Sequence, residues 1–247
     1  MDVFWLQQTE ADVPPDNDWL SAYELSCLSA LRFPKRRADW RLGRWTAKHA
    51  LALHLGMGSD RQALANTEIR AAASGAPEAF IANWPANAAI SISHCNGNSI
   101  CAIAPPGTAL GCDLELVEPR SKAFTTDYFA PAEQALVADT TAADRDTLIT
   151  LLWNAKESAL KALHQGLRLD TRSVVVTLPD SLIPLTHHQY TITNPGGAVQ
   201  EDLSGWRTLE VSCPSCRIFH GWWRKCNNLL LSLVADPAAE SPIALAQ

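Results

Sequence analysis

The sequence predicts an α+β fold on three observations. Helical periodicity gathers in two long regions, residues 19–55 and 146–166. Most other apolar segments are short runs bounded by turn residues, the signature of strands. The two kinds of segment do not alternate one for one, as a dinucleotide-binding α/β sheet would require.

Taken in order, DVFWL opens as a strand and TEADVPPDND is a turn-rich loop. Leu20, Tyr23, Leu25, Leu28 and Leu31 space out a helix, which Pro34 breaks because proline lacks the amide and clashes with the preceding turn. RRADWRLGRWTAKHALALHLG is a second helix, with Gly56 as its stop. TEIRAA reads as a weak strand and ASGAPEAF as a turn. AAISISH and SICAIA flank the turn signal NGN, so 88–104 is a hairpin. PPGT at 105–108 punctuates the chain, and LGCDLELV resumes as a strand. A helix starts near Pro131 in YFAPAEQALVA, since proline is tolerated in a first turn. DTLITLLWNAKESALKALHQG is a long helix of good formers, with Gly166 placed to end it. SVVVTL, YTIT, RTLEVSC, RIFHGWWR and NLLLSLVA read as strands.

Composition narrows the class. With 47% apolar and 19% charged residues among 247, the chain buries a real core, enough for one large domain or two modest ones. A net charge of −6 argues against general nucleic-acid binding but permits a local cationic patch. Apolar runs fall short of a membrane span, and the N-terminus has early acids and no basic leader. A cytoplasmic address and no membrane partner are therefore expected, with the seven cysteines reduced.

Four features could carry chemistry, and each has a bland alternative. Asp113 and Glu115 are two apart in a strand and so share a face. Paired carboxylates suit a hard divalent cation such as Mg²⁺, or simply a solvated strand face. Glu157 and Lys161 lie four apart on one helix face, either an ordinary surface ion pair or a metal ligand beside a cation for an anionic group. Lys35, Arg36, Arg37, Arg41, Arg44 and Lys48 crowd fourteen residues, a solvated helix face or a phosphate site. Ser93 and His94 end a strand before a turn, placed for structure or for hydrogen bonds to phosphate.

Together these residues resemble the 4′-phosphopantetheinyl transferases of the Sfp type. SISH followed by Gly97, then GCDLE near the family's G-x-D-x-E, then WNAKESALKAL near its W-x-x-K-E-x-x-x-K, occur in the family's order. RRADWRLGR and YFAPAE resemble its basic helix and its F-x-x-x-E segment, so the similarity runs from about residue 32 to 170. The resemblance implies two similar α+β halves related by a pseudo-twofold axis, residues 1–106 and 107–247, with coenzyme A in the cleft between them. Asp113, Glu115 and Glu157 would bind Mg²⁺. Lys161 would contact the pyrophosphate, and Ser93, His94 and Lys35 or Arg36 the phosphates of coenzyme A. The implied reaction moves phosphopantetheine to a serine of an acyl or peptidyl carrier protein, in fatty acid or secondary-metabolite biosynthesis, and releases adenosine 3′,5′-bisphosphate. Glu157 would be the general base and Glu133 the second choice. A monomer is expected, as is carrier docking on the helix after YFAP. One departure stands out: where many members carry Gly-Lys-Pro or Gly-Arg-Pro, this chain has GAP, with Ala76 in the basic position.

Two other readings compete. Cys213, Cys216, His220 and Cys226 form C-x2-C-x3-H-x5-C, with ligand types that suit a zinc module. Alternatively, the fold binds coenzyme A or a carrier without turnover.

Overall fold

The computed structural model describes residues 1–179, 191–193, 199–201 and 205–246. β1 (Phe4–Thr9) leads to α1 (Ala22–Ala30), which opens on a capping box: Ser21 Oγ accepts from the Glu24 amide, and the Glu24 carboxylate accepts from the Ser21 amide. Pro34 does more than end the first helix. It is the first residue of α2 (Pro34–Leu55), where its fixed φ is pre-organised and no amide is needed. α2 ends at Gly56 in the left-handed region, φ 63°. α3 (Arg61–Ala65) was not expected; it is a short turn capped by Asp60, too brief to show a periodicity.

β2 (Thr67–Ala71), β3 (Pro77–Ile81) and β4 (Trp84–Pro85) form a small antiparallel sheet, so ASGAPEAF is turn and strand rather than turn alone. β5 (Ala89–Cys95) and β6 (Asn98–Ala104) are the expected hairpin. Its two loop residues, Asn96 (φ 48°) and Gly97 (φ 71°), supply the positive φ that a tight right-twisted hairpin needs.

β7 (Ala109–Leu116) is followed by α4 (Lys122–Tyr128), α5 (Pro131–Asp139) and α6 (Ala142–Ala162). α4 is a second unexpected short helix. α6 stops at Ala162, ahead of Gly166, because His164 already turns left-handed at φ 55°. β8 (Val175–Thr177), β9 (Thr191–Thr193), β10 (Val199–Glu201), β11 (Arg207–Cys213), β12 (Arg217–Cys226), β13 (Leu229–Asp236) and β14 (Ile243–Ala244) follow. Tyr190 of the expected YTIT strand lies outside the described residues.

Two sheets dominate, ordered β14-β1-β6-β5 and β7-β13-β12-β11-β8. Their alternating side chains set the layers. Cys101 and Ile103 of β6 and Leu6 of β1 pack on Ala47, Ala50 and Leu51 of α2. Ile100, Ala102 and Ala104 point the other way, onto Leu110, Cys112 and Leu114 of β7 and Leu231 and Leu233 of β13. The far face of that second sheet, including Leu209, Phe219, Leu230 and Val234, buries Leu148, Leu152, Ala155 and Ala159 of α6. The order through the molecule is helix, sheet, sheet, helix.

A buried lysine–glutamate pair is built the same way twice in the chain. Lys48 of α2 pairs with Glu24, which accepts from the amides of Ser21 and Ile69, while Lys48 donates to the carbonyls of Trp19 and Leu64. Lys156 of α6 pairs with Glu133, which accepts from the amides of Ala130 and Val176, while Lys156 donates to the carbonyls of Thr171 and Val174. Both pairs satisfy their charges with backbone groups, which is what allows ions to be buried at all.

Candidate active site

Gly111 explains how α6 reaches β7. A Cβ at this position would stand 1.8 Å from the Ser158 carbonyl oxygen and 2.9 Å from the Ala162 nitrogen, so only a hydrogen fits. Ser158 Oγ, 2.7 Å from Ser232 Oγ, ties the same helical turn to β13. Helical spacing then brings Asn154, Glu157 and Lys161 onto one flank of α6.

These groups meet at Asp113. Lys161 Nζ donates to Asp113 Oδ1 at 2.7 Å and to the Cys112 carbonyl at 3.0 Å. Ser93 Oγ, from β5 in the other sheet, donates to the same Oδ1 at 2.7 Å. Asn154 Nδ2 donates to Oδ2 at 2.9 Å. A carboxylate only 5% exposed is thus held on both oxygens, one partner being charged.

Glu115 and Glu157 feel this charge. Burial and then Asp113 push the Glu115 carboxyl up to about 7, against the opposing pull of Arg120 and a hydrogen bond from Trp153, with Glu157 adding to the rise. Arg120 is shared: its Nη2 lies 3.5 Å from Glu115 Oε2 and 3.1 Å from Glu118 Oε1. Glu157 makes no hydrogen bond or ion pair among the described residues, and burial and Asp113 raise its pKa despite Lys161. Lys161 is held protonated: burial works against its charge, but Asp113, Cys112 and Glu157 together outweigh it. The three acids therefore share one electrostatic neighbourhood. Among the described residues no three His, Cys, Asp or Glu groups stand as a ready metal cage. Asp113 already commits both its oxygens to protein donors.

A cationic edge adjoins the acids. Burial, then Lys161, Lys35 and Arg44, lower the His94 pKa against the pull of Asp39, so the ring is neutral at pH 7. Lys35 is exposed and pairs with Asp39 at 2.7 Å. Arg44 stacks over Trp40, 4.0 Å from the ring centroid, and its Nε is buried without an acceptor among the described residues. Arg44 was legible in the sequence only as one cation among six. The others in the run are less available. Arg37 donates to the carbonyls of Leu28 and Leu31, Arg41 to those of Pro14, Pro15 and Asp16, and Lys48 to its buried pair. Half of the basic run is thus structural, and Arg36 is merely exposed.

The structure places Glu133 and Ser93 differently from the expected site roles and breaks up the competing zinc pattern. Glu133 is not at this site; it is 2% exposed and bound to Lys156 and two backbone amides, on a different flank of α6. Ser93 donates its hydroxyl proton to Asp113 Oδ1, so in this structure it braces that carboxylate. The zinc pattern comes apart in three dimensions. Cys216 sits in the turn before β12 and Cys226 at its far end, about 30 Å along ten extended residues. His220 pairs with Glu210 at 3.2 Å, and burial pushes the Cys213 thiol up to about 11.

The turn carrying Ala76 receives a cation from elsewhere: Arg168, beyond α6, donates to the Ser74 carbonyl at 3.1 Å.

Two family models match the chain. The 4′-phosphopantetheinyl transferase N-terminal domain matches residues 29–104, and the 4′-phosphopantetheinyl transferase superfamily matches residues 109–202. No curated protein matches it. The two matches follow one another, cover well over half of the chain between them, and meet at the hairpin and strand that build the site. The chain belongs to the 4′-phosphopantetheinyl transferase superfamily, a class of transferases, which supports a role in phosphopantetheine transfer generally. No helix among the described residues is long and apolar enough to cross a membrane.

Proposed function

We propose that this chain is an Sfp-type enzyme that moves the 4′-phosphopantetheine arm of coenzyme A onto a serine of an acyl or peptidyl carrier protein. The observation that carries the reading is the knot of Asp113, Glu115, Glu157 and Lys161 beside the cations Lys35 and Arg44 and the neutral His94. Such a pairing suits a pyrophosphate carried with a divalent cation.

The donor set fits Mg²⁺. Three carboxylates face one lysine and one shared arginine, and two of the acids are destabilised as anions by burial and then by the Asp113 charge. Asp113, Glu115 and Glu157 would hold the ion, which supplies charge neutralisation on the pyrophosphate. The chain's own groups do the rest. Lys161, kept protonated, stabilises the negative charge that grows on the bridging oxygen as the P–O bond breaks. Glu157, unpartnered and raised in pKa, takes the serine proton. Arg44, Lys35 and neutral His94 bind phosphate oxygens, and Arg168 serves where the family pattern has a basic residue at position 76. Two pseudosymmetric halves, 1–106 and 107–247, with the ligand between them, are supported by the repeated lysine–glutamate pair and by the contribution of β5 and β7 to one site.

Intact-mass measurement of an apo carrier protein incubated with this protein, coenzyme A and Mg²⁺ tests the reading. A gain of one phosphopantetheine, lost with EDTA, is expected. No gain on carriers from several pathways would instead favour binding without turnover.

A further inference from the structure

Asn154 is the donor that holds Asp113 from the side away from Lys161 and Ser93. It is fully buried, and both groups near its Nδ2 are acceptors: Asp113 Oδ2 at 2.9 Å and the Leu230 carbonyl at 3.5 Å. That fixes which end of the amide is the donor. Its Oδ1 is buried with no partner, a cost that a helix interior does not tolerate without some return. A leucine or alanine would pack here without that cost, yet would leave Asp113 Oδ2 bare. Lys161 and Ser93 both act on the opposite oxygen, Oδ1.

We propose that Asn154 is a positioning residue: by holding Oδ2 it fixes the plane of the Asp113 carboxylate, so that Oδ1 can change partner from Lys161 to a divalent cation without the side chain turning. The two oxygens of Asp113 divide the labour. Lys161 carries its ammonium on a long aliphatic stem and is partly exposed, so its head can be drawn to an incoming anion by rotation of that stem. Asn154 is short and enclosed by packed helix and sheet, so it stays. Neutral donors that orient ligating carboxylates tune ion affinity without adding charge to the site. The inference rests on the proposed function, and its test separates the two.

The test is Mn²⁺ titration of the full chain without coenzyme A, read by electron paramagnetic resonance, on the wild type and on Asn154→Ala, Asn154→Ser and Ser158→Ala. Ser158 is the control, because it makes a buried hydrogen bond on the same helix without touching Asp113. We expect Asn154→Ala to weaken Mn²⁺ binding about tenfold, the usual effect of losing a group that orients a ligand. Asn154→Ser should fall between it and wild type, and kcat of both should recover as Mn²⁺ is raised. Ser158→Ala should melt lower yet bind Mn²⁺ as wild type does. Wild-type affinity in a folded Asn154 variant overturns the inference alone. So does equal weakening in Ser158→Ala, or failure of both Asn154 variants to fold, which would make the role purely structural. A wild-type chain that binds no Mn²⁺ overturns the proposed function and this inference with it.

Discussion

At the scale of single residues, the site stores electrostatic stress. Glu115 has a folded-state pKa of about 7 against a model-peptide value of 4.5, so the folded state keeps a proton that the unfolded chain releases. Its contribution to stability is present at low pH and is lost as pH rises through 7. The limiting size is about 3 kcal/mol, from 1.36 kcal/mol for each unit of difference. Glu115→Gln should therefore raise the melting temperature at pH 8, with little change at pH 5, while transfer is abolished. An unchanged melt at pH 8 would show that the acid is not stressed. His94 has the opposite sign: its lowered pKa means that stability falls as pH drops below about 6.5, where the unfolded chain binds the proton first. NMR titration should find the His94 pKa below that of a free histidine. Adenosine 3′,5′-bisphosphate should raise it, and His94→Ala should raise the KM for coenzyme A more than it lowers kcat.

At the scale of elements, everything at the site depends on how near α6 lies to β7. Gly111→Ala drives a methyl into the Ser158 carbonyl, so the helix must retreat by more than an ångström. We expect a markedly lower melting temperature, and loss of transfer even at temperatures where the variant remains folded; circular dichroism and the mass assay together check this. Glu133 makes the complementary case. Glu133→Gln leaves Lys156 buried beside a neutral amide and should cost about 3–5 kcal/mol in denaturant unfolding. The kcat of the folded fraction should stay within a few-fold of wild type, because Glu133 touches none of the groups around Asp113. A kcat reduced by orders of magnitude in well-folded protein would restore it to the chemistry.

At the scale of the whole molecule, the two sheets are joined by a single apolar layer that continues into the site. Cys112, which packs in that layer, also donates its amide to the Ser91 hydroxyl oxygen, 3.0 Å away, and the next strand position is Asp113. Trp5 and Trp206 meet edge-on at 5.5 Å on the same interface, with Arg224 over both rings. Residues 1–106 and 107–247 expressed separately should each expose this layer, bind a hydrophobic dye and show no cooperative melt. Mixing or co-expressing them should restore both the melt and transfer. Independent cooperative melting of either piece would mean that the inter-sheet layer is not needed for folding.

The sequence by itself determined the pieces whose signal is local. The Asn96–Gly97 hairpin, Gly56 at the end of α2 and the pairing of Asp113 with Glu115 on one face all follow from dihedral preferences and strand period, which a few neighbouring residues settle. Motif order was also legible, because Asp113, Glu115, Glu157 and Lys161 keep fixed spacings. Only the tertiary structure decided which charges are free. Lys48 and Lys161 look alike in sequence, as do Glu133 and Glu157, yet one of each is sealed in a core pair and the other faces Asp113. Partners 16 to 49 residues away make that difference, many of them backbone carbonyls and amides that carry no residue-type signature. The zinc pattern dissolved for the same reason: spacing along a chain becomes distance only once the chain is known to be extended.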